Sequence, residues 1–337
     1  MMLEENISLK QLTTFGCDEI GRYFTRITTA AALTEAINWC DEKHLPFLVI
    51  GTGSNILFTK PFEGLILKMG ITGINKTNET ATDVFLTVGA GENWHHFVSY
   101  CVQKSWGGIE NLSLIPGTVG ASPIQNIGAY GVEVQECIES VTAFDTHTKT
   151  WITLNNNQCA FGYRNSLFKK EKNRYLITTV QFVLKKQAQL RTDYGSIKEK
   201  LHEKNIKNPS LADLSNAIIQ IRTSKLPDPA TLGNAGSFFK NPSINKINFE
   251  KLKLKFPEMI AYPISDDTYK LAAGWLIEDC GWKGVRKGNV GCFDKQSLVL
   301  VNYGQATGKE IYDFSEEIIQ SVLAKFDVLL EREVNIL

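Results

Sequence analysis

The apolar pattern changes period several times along the chain, and each change marks an element. Between residues 31 and 43, Leu33, Ala36, Ile37 and Cys40 recur at three- and four-residue intervals, the spacing of one helix face. "PFLVI" (46–50) has no such interval and reads as a buried strand ending in the turn "GTGSN" (51–55). "ILF" and "GLILKM" are strand-like, and "VFLTVGAGENW" is a strand running into glycines. Trp94, Phe97, Val98, Cys101 and Val102 then make a second helix face. Strands follow at "SVTAFDT", "TWITL" and "YLITTVQFVL", then helices near 196–205 and 211–222. Ser210 stands three residues before Asp213, as in a capping box. The pattern predicts one amphipathic helix over 269–280 and another over 311–326, with Ile311, Phe314, Ile318, Val322 and Phe326 inward. "LLEREVNIL" closes the chain as a short strand-like tail. The sum is an α+β protein with mixed sheets. The two close prolines of "KLPDPATLGNAGSFFKNP" read as a domain boundary.

Composition narrows the function. At 337 residues several domains are expected, and 43% hydrophobic with 21% charged residues is ordinary for a globular chain. The 36 basic and 36 acidic residues cancel, which argues against a general nucleic-acid binder but leaves room for a local cationic pocket. Seven cysteines lie far apart with no CxxC pair, as expected of buried thiols in a reducing compartment. The N-terminus "MMLEENISLKQL" has no apolar core, and no apolar run reaches membrane-spanning length, so a cytoplasmic protein without membrane insertion is expected. The five histidines lack metal-ligand spacing, and no metal is expected.

The glycines carry more information. "GTGSN" fails as a dinucleotide fingerprint, since Ile56 stands at the sixth position and no helix is predicted after it; it also lacks the Lys-Ser/Thr of a phosphate loop. "IPGTVGASPIQNIGAYG" holds four glycines and no charge, a composition that lets backbone amides approach an anion closely. "GNAGSFFKNP" strips bulk from around Ser237 and follows it with two rings and a lysine, a puzzling choice for either a loop or a core strand.

These blocks, with "FGYRNSLFK", "RTSKLPDP", "AAGWLIEDCGWKG" and "LEREV", occur in one order, and over nearly its whole length the chain resembles the UDP-N-acetylenolpyruvoylglucosamine reductases of peptidoglycan precursor synthesis. The resemblance implies non-covalent FAD in a fold of the vanillyl-alcohol oxidase type, with the flavin between two α+β subdomains and a third domain over the substrate. It implies subdomains at 1–74 and 75–222, a substrate domain at 223–326, and a tail, 327–337, packing back on the first. NADPH is the implied hydride source, a nucleotide sugar the substrate, and a monomer the expected state. The flavin contacts it implies are Gly51, Thr52, Gly53, Ser54 and Asn55 in one turn. In the second Gly-rich segment they are Ile115, Pro116, Gly117, Thr118, Gly120, Ala121, Gln125, Asn126 and Gly128, and Arg222 joins them.

The implied chemistry adds a hydride to an enol ether and a proton to the neighbouring carbon. It needs a cation beside the substrate carboxylate, a proton donor, and groups for the nucleotide diphosphate. Arg164 in "FGYRNS" suits the first, because guanidinium stays charged and pairs with carboxylates through two hydrogen bonds. Tyr163 beside it either packs or touches flavin. Ser237 suits the second: a hydroxyl is a weak acid, but a carbanion is basic enough to take its proton. In this reading Phe238 and Phe239 exclude water, while Lys240 either lowers the cost of the alkoxide or faces solvent. By position in "LEREVN" the resemblance makes Glu333 a third catalytic residue. Tyr194, Lys225, Asn241 and Gln296 are the candidates for substrate binding, and Tyr194 implies the branch whose tyrosine loop closes on substrate. Two rivals stay open: an oxidase of the same fold acting on a sugar or alcohol, and a nucleotide or flavin binder without catalysis.

Overall fold

A computed structural model describes all 337 residues. The chain forms two compact units, one of Met1–Ile7, Arg22–Thr52 and Glu63–Ser224, the other of Ser8–Gly21, Gly53–Phe62 and Lys225–Leu337.

The first unit is built around two sheets. One has the strand order Glu4–Ser8, Ile20–Ile27, Phe62–Met69, Phe47–Ile50. Its last two strands run parallel, Ile50 opposite Lys68, joined through the turn after Ile50. The helix Ala30–Lys43 packs Leu33, Ala36, Ile37 and Cys40 inward, is capped by Thr29 accepting from the Ala32 amide at 3.1 Å, and stops at His44 in the left-handed region. The other sheet is antiparallel, in the order Thr150–Asn155, Ile138–Asp145, Tyr175–Lys185, Asp83–Gly89, Ile74–Glu79. Alternation along Asp83–Gly89 buries Val84, Leu86 and Val88, which meet Trp94, Phe97 and Val98 of the helix Trp94–Gln103. The Phe97 and Phe182 rings meet with centroids 4.9 Å apart and planes tilted by 44°. A separate small core joins the helices Gly195–Glu203 and Leu211–Lys225, where Ser210 and Asp213 cap each other as the sequence pattern predicts.

The second unit contains a four-stranded sheet (Gly233–Ser237, Val299–Asn302, Val290–Cys292, Arg286–Lys287) and a three-stranded one (Ser243–Asn245, Thr268–Leu271, Ala261–Ser265). The helix Gly308–Phe326 covers its core with the five residues expected of it, starting from a Thr307–Glu310 capping box. The terminal strand Asn335–Ile336 runs parallel to Ile56–Leu57.

One expectation fails. Residues 269–280 are not one helix: Thr268–Leu271 is a central strand, paired on both edges, and the helix spans only Ala273–Asp279. The apolar spacing there was helical, but backbone pairing on two sides outweighed it. "GNAGS" is also a strand, with a register shift between Asn234 and Ser237 that absorbs Ala235 and Gly236 as a bulge.

All seven cysteines are free, and burial pushes Cys17, Cys137 and Cys292 up to about 12. No helix is long and apolar enough to cross a membrane.

Candidate active site

In the first unit the two glycine turns meet. A side-chain carbon on Gly51 would lie 2.6 Å from Thr118 Oγ1, and one on Gly120 would lie 2.5 Å from Ala90 Cβ, so the bare glycines make room for the Thr118 side chain and for close approach to Ala90. The amides of Val119, Gly120, Ala121, Ser122, Ile124, Asn126 and Ile127 all donate to carbonyls within this unit. The supply of amides for an anion is therefore narrower than the glycine content suggests, and centres on Gly117 and Thr118. Asn126 is fully buried with φ at 45°; its amide donates to Glu133 and to Gly162 O, and its Oδ1 accepts from Gln135, so it shapes the loop. Ile115 is half-buried and Pro116 exposed.

The fit to a diphosphate cofactor rests on two observations. Thr52 Oγ1 is buried with no hydrogen-bond partner in the protein. Thr52 lines a cavity of about 390 Å³ together with Gly51, Gly91 and Thr118 and two cations, Arg26 and Lys68. A small-residue cradle, an orphaned hydroxyl and local positive charge suit FAD.

Arg164 sits in the left-handed region (φ 50°), a strained place for a non-glycine residue and one that recurs at functional sites. Its Nη2 donates to Gly128 O at 2.7 Å, Lys169 Nζ holds its carbonyl at 3.0 Å, and its guanidinium lies over the Tyr163 ring at 5.6 Å. Nearby, Arg222 donates to Leu114 O and is hydrogen-bonded to Tyr130. Burial lowers the Arg222 pKa, Tyr130 opposes that shift, and the Arg164 charge adds to it. Tyr194 is half exposed (52%) and sets its ring edge-on to Tyr130 at 5.5 Å. Arg191, three residues before Tyr194, donates to Glu136 from both terminal guanidinium nitrogens. Tyr130 went unread in the sequence; its place between Gly128 and Gly131 was the available signal.

In the second unit the tail pairs with the serine segment. Phe239 bridges Arg332, the Lys240 amide donates to Glu331 O, and the Glu333 amide donates to Phe238 O. Residues 331–333 thus run antiparallel to 238–240, and Ser237 and Glu333, far apart in sequence, come onto neighbouring rungs. Asn55 ties the same point, donating to Glu333 O at 3.2 Å and accepting from Asn335. Gly53, next to Ser54 in that turn, has φ at 65°, and a side-chain carbon there would meet Leu12 O at 2.1 Å. Asn234 braces the bulge by accepting from the Gly236 amide and donating to Leu232 and Pro227 carbonyls.

The two phenylalanines are corrected: Phe238 and Phe239 are buried in the core against each other and Phe15, so they anchor the strand. Lys240 makes an ion pair with Glu331 at 2.7 Å. Asn241 accepts from the Ala273 amide, and Gln296 Oε1 lies where a Gly274 side chain would contact it, so both converge at the start of Ala273–Asp279. Lys225 is exposed at its helix end. No group of His, Cys, Asp or Glu is placed to hold a metal ion.

Comparison with known proteins gives the class first. A model of the FAD binding domain matches residues 22–154, and with the relatives below it makes the chain an FAD-dependent oxidoreductase. A model of the C-terminal domain of UDP-N-acetylenolpyruvoylglucosamine reductase matches 228–337. Reductases of that name from Pseudomonas aeruginosa (46% identical over 99% of this chain and 98% of that one) and Amoebophilus asiaticus (47%, 100% of both) align throughout. The chain belongs to the UDP-N-acetylenolpyruvoylglucosamine reductase family and acts in peptidoglycan precursor synthesis. The crystal structure of the Thermus caldophilus reductase has the same fold, with a TM-score of 0.69 over 99% of each chain at 22% identity.

Proposed function

We propose that the chain reduces the enolpyruvyl ether of UDP-N-acetylglucosamine enolpyruvate to UDP-N-acetylmuramate with NADPH as donor. FAD held by Gly51, Thr52, Gly117 and Thr118 would supply the hydride-transfer chemistry, accepting hydride from NADPH and passing it to the methylene carbon of the substrate. Arg164 then faces the substrate carboxylate, into which the developing negative charge spreads, and stabilises it through charge-assisted hydrogen bonds. Ser237 gives its proton to the carbon next to the carboxylate, so the double bond becomes a saturated lactyl ether. Glu333 interacts with the enolic species. The observation that supports this most is the ladder joining 238–240 to 331–333, which brings the backbone of Glu333 next to that of Ser237.

Gly51, Thr52, Gly117 and Thr118 hold the flavin diphosphate in this reading, with Gly53, Ser54, Asn55, Ile115, Pro116, Gly120, Ala121, Gln125, Asn126, Gly128 and Arg222 completing its surroundings. Tyr194, Lys225, Asn241 and Gln296 bind the nucleotide diphosphate of the substrate, and the chain is read as one of the tyrosine-loop branch, a reading that the exposure of Tyr194 supports. We read 1–74 and 75–222 as the flavin subdomains and 223–326 as the substrate domain.

An anaerobic titration tests the reading. NADPH should bleach the flavin absorbance, and UDP-N-acetylglucosamine enolpyruvate should restore it with formation of UDP-N-acetylmuramate. Bleaching without restoration overturns the substrate assignment.

A further inference from the structure

The 390 Å³ cavity of the first unit has a feature that its glycines do not explain. Two cations line it, and no carboxylate does. Lys68 stands opposite Ile50, the residue that leads into Gly51, so the strand register sets it beside the first glycine turn. The Gly70 amide donates to Ile27 O at 2.7 Å, and a side-chain carbon at Gly70 would lie 3.2 Å from Arg26 Cγ, which brings Arg26 alongside. Neither cation makes an ion pair, although many other basic side chains in the protein do. Burial of Lys68 and the Arg26 charge both disfavour its ammonium form, a cost at Lys68 that a bound anion relieves, while Arg26 beside it is exposed. Thr52, whose buried hydroxyl has no partner in the protein, lines the same space.

We propose that Arg26 and Lys68 are cofactor-binding residues that supply the electrostatic half of the site for the FAD diphosphate, the glycine turns supplying the close approach. The diphosphate carries negative charge at neutral pH, and the backbone amides that remain uncommitted near Thr118 are too few to balance it alone. This inference rests on the FAD reading and adds to it a charge requirement that neither turn motif contains.

The test uses the full chain stripped of flavin, titrated with FAD and with riboflavin, which lacks phosphate, by quenching of flavin fluorescence. Lys68→Met and Arg26→Met should each raise the Kd for FAD roughly tenfold and leave that for riboflavin unchanged, while Lys68→Arg stays near wild type. Wild-type FAD affinity should also fall with added NaCl while riboflavin affinity holds, a measurement that needs no variant. Unchanged FAD affinity in both variants, equal weakening of FAD and riboflavin, or no salt dependence overturns the proposal. Binding of adenosine 2′,5′-bisphosphate to the holoenzyme that Lys68→Met abolishes also overturns it, assigning the cations to NADPH. Wild type that binds no FAD at all sinks the cofactor reading itself, a separate result.

Discussion

Two small-residue segments, 115–128 and 233–237, look alike in sequence and are held in different ways. In the first, lack of bulk serves close contact: Gly120 has no room for a carbon beside Ala90, and most amides are tied into the unit's own hydrogen bonds. In the second, Gly236 has nothing within 4 Å of an added carbon, but its φ of 68° belongs to the left-handed region. One segment is a packed wall; the other is a bulge that re-aims a serine at the end of a strand. The lesson is that glycine density marks a site without saying whether space or backbone angle is what the site requires.

The largest effect should come from the residue the bulge presents. Ser237→Ala is expected to slow flavin reoxidation by the enolpyruvyl substrate roughly 10²–10⁴-fold while NADPH-driven reduction stays near wild type. Stopped-flow traces showing both half-reactions impaired alike would make the serine structural. Next, Gly120→Val should cost roughly 3 kcal/mol, the upper end for an overpacked core, with loss of bound flavin. Thermal melting and the flavin-to-protein absorbance ratio report it, and a fully loaded, unshifted variant would remove the close-packing account. Gly236→Ala should cost only about 1–2 kcal/mol, because a left-handed backbone angle is its sole obstacle. If it destabilises as much as Gly120→Val, the contrast between the segments is lost. The smallest effect is assigned to Tyr194→Phe, in neither segment: a rise in substrate KM of roughly two- to tenfold, the worth of one hydrogen bond, with reduction of the flavin by NADPH unaltered. An unchanged KM takes Tyr194 out of substrate binding.

Much of the fold was legible. The helices holding Leu33 to Cys40 and Ile311 to Phe326 followed from spacing alone, since a buried stripe at helical period has one stable local form. The Ser210–Asp213 cap was equally local. The run 269–280 misled because Tyr269 and Lys270 gain partners on two strands, which no window of sequence contains. Phe238 and Phe239 misled for a related reason: rings beside a reactive serine read as a lid, but they point into a core assembled partly from Phe15, more than two hundred residues away in the chain.

The sequence by itself determined the element types, the balance of charge that confines any anion site to a pocket, and, through its ordered motifs, the family. Only the tertiary structure decided that Glu333 would lie one rung from Ser237, that Thr52 would keep a buried hydroxyl without a partner, and that Arg26 and Lys68 would share a wall. Local order depends on neighbours within a few residues and is written in periodicity. A ladder between residues 238 and 333, or two cations on adjacent strands, depends on pairing register across the chain, which is settled only when the sheets close.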